Sequence, residues 1–292
     1  MEHIDLQFAP DLSQRVRVSN AIKMAKREAG SEEWRIGYGE YTHSFSFSED
    51  MIIGESVEKH NSSESEILTG VEQVIADQII AVHQMKEERN DNTPTLAVDF
   101  GGMFGLSFIR IAKYLEEKEQ LISQGKAALI VTNLAFNLEK GLNAAEDGQT
   151  ELDIEVIQYI RNNSHFVHYL QSNASELRFH MIHLPNGESY PIQHNIDVLH
   201  EYSTLTHGFV NDVDLATIGK AMSSYGTILL GSDVVEPEDE GEEMYENRSQ
   251  AHEIGQQNLV REGFMIHEFN DVLCFYTVFQ KPSSSLILLK SE

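Results

Sequence analysis

The residues best suited to chemistry lie in two short segments of this 292-residue chain. The first is Asp99-Phe100-Gly101-Gly102-Met103-Phe104-Gly105, which follows an apolar run and precedes an amphipathic one. Gly101, Gly102 and Gly105 let the backbone turn sharply and approach a ligand with no Cβ in the way. A helix starting near Gly105 adds free N–H groups and the positive end of its dipole. Such a turn suits a nucleotide or nucleoside. A dinucleotide fingerprint needs glycines at the first, third and sixth positions; counted from Gly101, these hold Gly101, Met103 and Leu106. Alternate glycines after an acid fit better, because Asp99 is followed by Gly101, Met103 and Gly105, two of the three glycines. The competing reading of these glycines is close strand–helix packing with no ligand.

The second segment is His200-Glu201-Tyr202, with His207 a little further on. An imidazole is a general base near neutral pH, and a nearby carboxylate can orient it or hold an acceptor. His200 and His207 are the candidate bases and Glu201 the orienting or acceptor-binding group; the alternative is that His200 packs against the ligand bound at the turn and Glu201 caps or pairs locally. Other histidines are weaker signals. His165 and His168 have helical spacing, His180 and His183 share a strand-like run, and neither pair has the three or four convergent ligands a metal needs. No metal site is expected. Cys274, the single cysteine, lies in an apolar run and reads as a small hydrophobe.

Elements of two kinds must position these residues. Ile67, Val71, Val74, Ile75, Ile79 and Val82 recur at helical spacing, and TLAVDFG then reads as a buried strand. A helix over 106–123, a strand AALIVTNL, a helix over 151–171 and strands LRFHMIHL and NIDVLHEY follow. A helix over 212–222, a strand GTILLGSD, a helix over 247–262 and the hairpin GFMIHEF/VLCFYTVFQKP complete the pattern. Strands alternating with helices imply a doubly wound, mostly parallel sheet, and the closing hairpin adds an antiparallel strand. Ligands of such sheets bind beyond the C-terminal strand ends, at the switch point.

With its Asp99-Phe-Gly101-Gly-Met103-Phe-Gly105 turn, the chain resembles the class I S-adenosylmethionine-dependent methyltransferases over roughly 67–281. YTVFQKP resembles their seventh, antiparallel strand, and IDVLHEYSTLTH their fourth strand and following loop. The resemblance implies a seven-stranded Rossmann-like fold and S-adenosylmethionine as methyl donor. It implies donor contacts from Asp99, Gly101, Gly102 and Gly105, and from Asn133 and Leu134 at the end of the second strand. Met103 stands where the central glycine is usual and Asn133 where an acid is usual. The implied activity is methyl transfer to a small molecule, with a hydroxyl the favoured acceptor for a histidine base. The alternatives are a non-catalytic binding protein of the same architecture and another Rossmann-type nucleotide-dependent enzyme.

Residues 1–62 read as an N-terminal extension or cap, and 63–292 as the Rossmann-like domain with a helical insertion near 151–171. Within the extension, 19–28 has helical spacing, and Trp34, Ile36, Tyr38, Tyr41, His43, Phe45 and Phe47 alternate as a hairpin would. Tyr38, Tyr41 and Phe45 are candidates to line a cap over the acceptor pocket. Forty-seven acidic against 21 basic residues give a net charge of −26, which disfavours nucleic acid as a partner. Seven of those acids fall within Glu236–Glu246, a run that would border the ligand edge and favour a cationic acceptor, or simply be solvated. No apolar run reaches the ~18 residues of a membrane span. The lack of a leader-like N-terminus and of paired cysteines predicts a cytoplasmic protein, with room left for a homodimer.

Overall fold

The computed structural model describes residues 33–38, 41–48, 51–54, 68, 70–102, 104–133, 138–146, 154–172, 177–202, 218–232, 256–270 and 275–282. Three strands come first: β1 (Glu33–Tyr38), β2 (Tyr41–Ser48) and β3 (Met51–Gly54), paired antiparallel in that order. The alternating run therefore forms the expected hairpin, extended by one strand. Tyr38, Tyr41 and Phe45 lie on β1 and β2. The helix expected over 19–28 lies outside the described residues.

The core begins with helix α1 (Gly70–Glu88), which buries Val74, Ile75, Ile79 and Val82 on one stripe. Strand β4 (Thr95–Phe100) is buried along its whole length, as a strand covered on both faces must be. Helix α2 (Leu106–Glu119), strand β5 (Ala127–Asn133), helices α3 (Leu138–Glu146) and α4 (Ile154–Asn163) and strand β6 (His168–Gln171) follow. Then come β7 (Met181–His183), β8 (Ser189–Pro191), β9 (Ile196–Tyr202), β10 (Met222–Ser232), β11 (Met265–Asn270) and β12 (Phe275–Gln280).

Seven strands form one sheet in the order β11-β12-β10-β9-β4-β5-β6. Strands β10, β9, β4, β5 and β6 run parallel, and β12 lies antiparallel between β10 and β11. The sheet is thus doubly wound and mostly parallel, with the terminal hairpin inserted antiparallel at one end. Chain order reverses direction between β4 and β9, so their C-terminal ends form the switch-point crevice.

Two expectations are corrected. The run 151–171 is not one helix: α4 ends at Asn163, a 3-10 turn (Ser164–Phe166) follows, and His168–Gln171 is the third strand of the parallel sheet. His165 and His168 therefore do not share a helix. The LRFHMIHL run does not enter the large sheet; its Met181–His183 part pairs with Ser189–Pro191 in a separate two-stranded hairpin. Met181 is half exposed there, which a central strand would not tolerate.

Two apolar layers hold the sheet. On one face Ala97, Leu129, Val131, Val198 and Leu229 pack against Ile75, Ile79, Phe108, Ile109, Ala112, Ile157 and Ile160 of the helices. On the other, Val98, Phe100, Ile130, Leu199 and Ile228 pack against Ile182, Leu184, Ile218, Leu259 and Phe264. Each fully buried valine, leucine, isoleucine or phenylalanine here contributes about 1.5–3 kcal/mol.

The N-terminal edge of the sheet is tied by a buried polar network. Lys86 Nζ lies 2.7 Å from Asp197 Oδ2 and donates to the Pro94 carbonyl at 2.8 Å. Asp197 also accepts from Leu96 N at 2.9 Å and Ser223 Oγ at 2.6 Å. Burial pushes the Asp197 carboxyl up, and Lys86 with these hydrogen bonds pulls the other way.

Candidate functional site

Residues at the C-terminal ends of the central strands lie in cross-strand register. His200 on β9 is opposite Asp99 on β4, Asp99 is opposite Val131 on β5, and Val131 is opposite Tyr169 on β6. Side chains alternate along a strand, so these four share one face of the sheet, the face that α2 covers. Val131 packs in that face's apolar layer with Phe108. The His200 ring stacks on Phe108 with centroids 6.4 Å apart.

The glycine turn rests on this row. Gly101 and Gly105 have φ of 77° and 71°, the left-handed region that other residues enter only with strain. Gly101 N donates to the Thr132 carbonyl at 2.8 Å, which fastens the start of the turn to β5. Gly105 N donates to the Gly102 carbonyl at 2.7 Å, and Gly105 then caps α2. That helix end has no side-chain cap and no acidic residue in its first turn. Its positive end is therefore suited to an anionic ligand group.

The missing Cβ atoms have specific neighbours. A Cβ on Gly102 would lie 2.1 Å from Asp99 Oδ2, and one on Gly105 would lie 2.7 Å from Val131 Cγ2 and 3.3 Å from the Tyr169 hydroxyl. Glycine at 102 thus makes room for the Asp99 carboxylate, and glycine at 105 for the sheet beneath it. Both features of the turn, its left-handed backbone and its close seat, require these glycines.

Asp99 and His200 are joined. His200 Nδ1 is 2.9 Å from Asp99 Oδ1, and both side chains are more than nine-tenths buried. An ionised carboxylate only accepts hydrogen bonds, so a neutral ring in this pair carries its proton on Nδ1 and its basic lone pair on Nε2. Beside the turn, Arg110 Nη2 lies 3.2 Å from Glu72 Oε2 in a buried ion pair that ties the first turns of α1 and α2 together.

Asp99 and His200 meet where β4 and β9 adjoin, with Gly102 against Asp99, while Gly101 is bonded to β5 and Gly105 sits over Val131 and Tyr169 of β5 and β6. Glu201 is fully buried but sits next along β9, on the opposite face from His200 and opposite Phe100. Asn133, 9% exposed, ends β5 two residues beyond Val131, and its carbonyl accepts from Ser172 N at 2.9 Å. Leu134, Met103, His207, Cys274 and the acidic run Glu236–Glu246 lie outside the described residues. No cluster of three metal-ligating side chains occurs among the described residues. Two features escape sequence reasoning. The Asp99–His200 pairing depends on register between strands far apart in sequence, and Tyr169 was hidden inside an apparent helix.

No protein-family model and no curated protein matches the chain. Solved structures do match it. The CurJ carbon methyltransferase is 13% identical, with 72% of this chain and 54% of that one covered, at a TM-score of 0.41. A TehB-like SAM-dependent methyltransferase from Corynebacterium glutamicum is 14% identical, with 70% and 86% covered, at 0.34. A SAM-dependent methyltransferase from Aquifex aeolicus is 12% identical, with 70% and 93% covered, at 0.37. This chain thus spans about half the length of the CurJ structure. The strand order itself, with the seventh strand antiparallel between the fifth and sixth, is that of the Rossmann-like fold expected from the resemblance to class I methyltransferases.

Proposed function

We propose that the chain is an S-adenosylmethionine-dependent methyltransferase acting on a small-molecule acceptor in the cytoplasm, with O-methylation the favoured reaction. The observation that carries this reading is the left-handed glycine turn seated at the switch point beside the Asp99–His200 pair. In it, Gly101, Gly102 and Gly105 with the α2 N-terminus hold the amino-acid end of the donor, and Asn133 and Leu134 border its ribose and adenine. A bound sulfonium donor supplies an activated methyl group, which leaves the protein alignment and proton removal.

Within this reading Asp99 takes a different part from the direct donor contact that the resemblance implies. Its Oδ1 is committed to His200 and its Oδ2 lies over Gly102. It orients the imidazole and selects the Nδ1–H tautomer, the arrangement in which a carboxylate supports a histidine general base. A hydroxyl acceptor has a proton to lose to such a base. The excess of acidic residues fits a partner other than nucleic acid. Among the described residues no helix is long and apolar enough to cross a membrane.

One observation favours a second reading, a non-catalytic binding protein of the same architecture. The room left by Gly102 and Gly105 is taken up by the chain's own Asp99, Val131 and Tyr169. Thermal shift and titration calorimetry with S-adenosylmethionine, S-adenosylhomocysteine and NAD separate the readings. Ligand at one hundred times its Kd stabilises by about 2.7 kcal/mol. The methyltransferase reading expects stabilisation by the two adenosyl ligands and none by NAD. Stabilisation by NAD alone overturns it in favour of another nucleotide enzyme, and stabilisation by none of the three overturns it in favour of a binding protein.

A further inference from the structure

We infer that Tyr169 is a positioning residue of the ligand turn, holding by its hydroxyl the peptide unit that leads into α2. The inference rests on the reading of this turn as the donor site, and its test also has an arm free of any ligand. The Tyr169 hydroxyl donates to the Phe104 carbonyl at 2.6 Å. That carbonyl belongs to the same peptide unit as Gly105 N, which donates to the Gly102 carbonyl at 2.7 Å. One peptide plane is therefore clamped at both ends, its N–H from within the turn and its C=O from the third strand.

The clamp matters because of the residue that follows it. Gly105 sits at φ 71°, and glycine populates positive and negative φ about equally. A peptide preceding glycine rotates at small steric expense, so local backbone preference does not fix this plane. Rotating it would turn the Phe104 carbonyl toward the open end of α2 and remove the Gly105 N–H bond, which spoils an anion-binding helix end. Val131 presents only methyl groups to Gly105 and so offers the peptide plane no hydrogen bond. The Tyr169 hydroxyl makes a polar contact from the sheet to the Phe104 carbonyl. It lies 3.3 Å from where a Gly105 Cβ would be, so glycine at 105 and tyrosine at 169 fit each other.

The apparent affinity of a ligand falls in proportion to the fraction of protein in the competent form. Losing one intramolecular hydrogen bond shifts such an equilibrium by about two- to tenfold. Tyr169→Phe removes the hydroxyl and keeps the ring that packs against the core. The experiment compares the wild-type chain and Tyr169→Phe by calorimetric titration of S-adenosylhomocysteine, by thermal midpoint without ligand, and by amide hydrogen exchange across 101–108. The expected result is a Kd raised about fivefold, a ligand-free midpoint within a few degrees of wild type, and faster exchange in the turn. A merely structural tyrosine would lower the midpoint and leave Kd alone; that outcome, or equal exchange in the two proteins, overturns the proposal. If wild type binds no adenosyl ligand, the donor reading fails, and the exchange comparison still decides whether Tyr169 holds the turn.

Discussion

Replacing Gly102 by alanine should break a bond that Gly102 does not make. The new Cβ would stand 2.1 Å from Asp99 Oδ2, 2.6 Å from its Cγ and 3.1 Å from Val131 Cγ1. Separations below 3 Å do not persist, so something must move. Strand β4 is laddered on both sides, to β5 and to β9, and its backbone cannot give way without breaking the sheet. The Asp99 side chain can rotate, but doing so pulls Oδ1 from His200 Nδ1, now at 2.9 Å. A hydrogen bond to a charged group contributes about 1.5–3 kcal/mol net, and overpacking a tight core costs about 1–3 kcal/mol. The two are not summed, because the rotation that relieves the overlap is the one that breaks the bond. Gly102→Ala should therefore destabilise by about 2–3 kcal/mol, or roughly 5–10 °C in Tm for a domain of this size. A double-mutant cycle with His200→Leu isolates the mechanism. Urea unfolding of the four proteins should give a coupling of about 1.5–2 kcal/mol, since Asp99 without its partner rotates freely. Additivity within about 0.5 kcal/mol would refute the argument and place the strain elsewhere.

Further tests concern titratable groups away from the turn. Lys86→Met leaves the buried Asp197 without its cation and should destabilise by about 3–5 kcal/mol, with Lys86→Met/Asp197→Leu recovering most of the loss. Burial raises the Asp197 pKa, so its contribution to stability is full below the unfolded value of about 3.8 and is lost as pH rises through the folded one. Removing Lys86 raises that folded value further, and the deficit of Lys86→Met by urea unfolding should be smaller at pH 5 than at pH 8; equal deficits would count against it. Burial, and then the nearby His183, lower the His168 pKa. The unfolded chain then takes up protons first, so this stability is full above about pH 6.5 and declines as pH falls toward the folded value. His168→Gln should flatten part of that slope between pH 7 and 5.5, and an unchanged slope would assign it elsewhere, His83 being lowered by burial in the same sense.

The central strands were legible because burial on both faces leaves continuous apolar runs, such as Leu96–Val98 and Ala127–Val131, bounded by glycine or polar turns. The glycine turn was legible because backbone that must enter left-handed conformations restricts residue type. Asp99 and His200 each stand out in the sequence, but as a donor contact and a general base. Their pairing is a lateral relation between strands a hundred residues apart, which periodicity along one strand cannot express. Tyr169 was missed for a different reason. Ile154, Ile157, Ile160, Val167 and Leu170 keep helical spacing across the true boundary, and a four-residue strand is too short to show alternation of its own. The LRFHMIHL run misled in the opposite direction. Its apolar residues suit a buried strand, but Leu177, Ile182 and Leu184 cover the second face of the sheet from outside it.

What places His200 beside Asp99 lies at the other end of the same strands. Leu96 on β4 is opposite Ile196 on β9, and the next pair is Ala97 with Val198, so Asp197 is an extra residue in β9. A one-residue step in register moves every later side chain of a strand to the opposite face. Counting on from the Leu96–Ile196 pair without that step would set Leu199 against Asp99 and turn His200 away with the other layer. The step is held where it occurs: Asp197 accepts from Leu96 N, the residue just before the shift, and is fixed by Lys86 from α1 and Ser223 from β10. Replacing the pair with apolar residues can restore stability, as in the double variant above, because stability needs only that the space be filled. It gives the bulge no side-chain hydrogen bond to Leu96, which leaves the apolar layers alone to hold the register. The Lys86→Met/Asp197→Leu protein should thus fold well and show a weaker coupling between Gly102 and His200 in the same urea cycle. A buried network that looks purely structural from the N-terminal edge is, on this argument, what brings the acid and the imidazole together at the other.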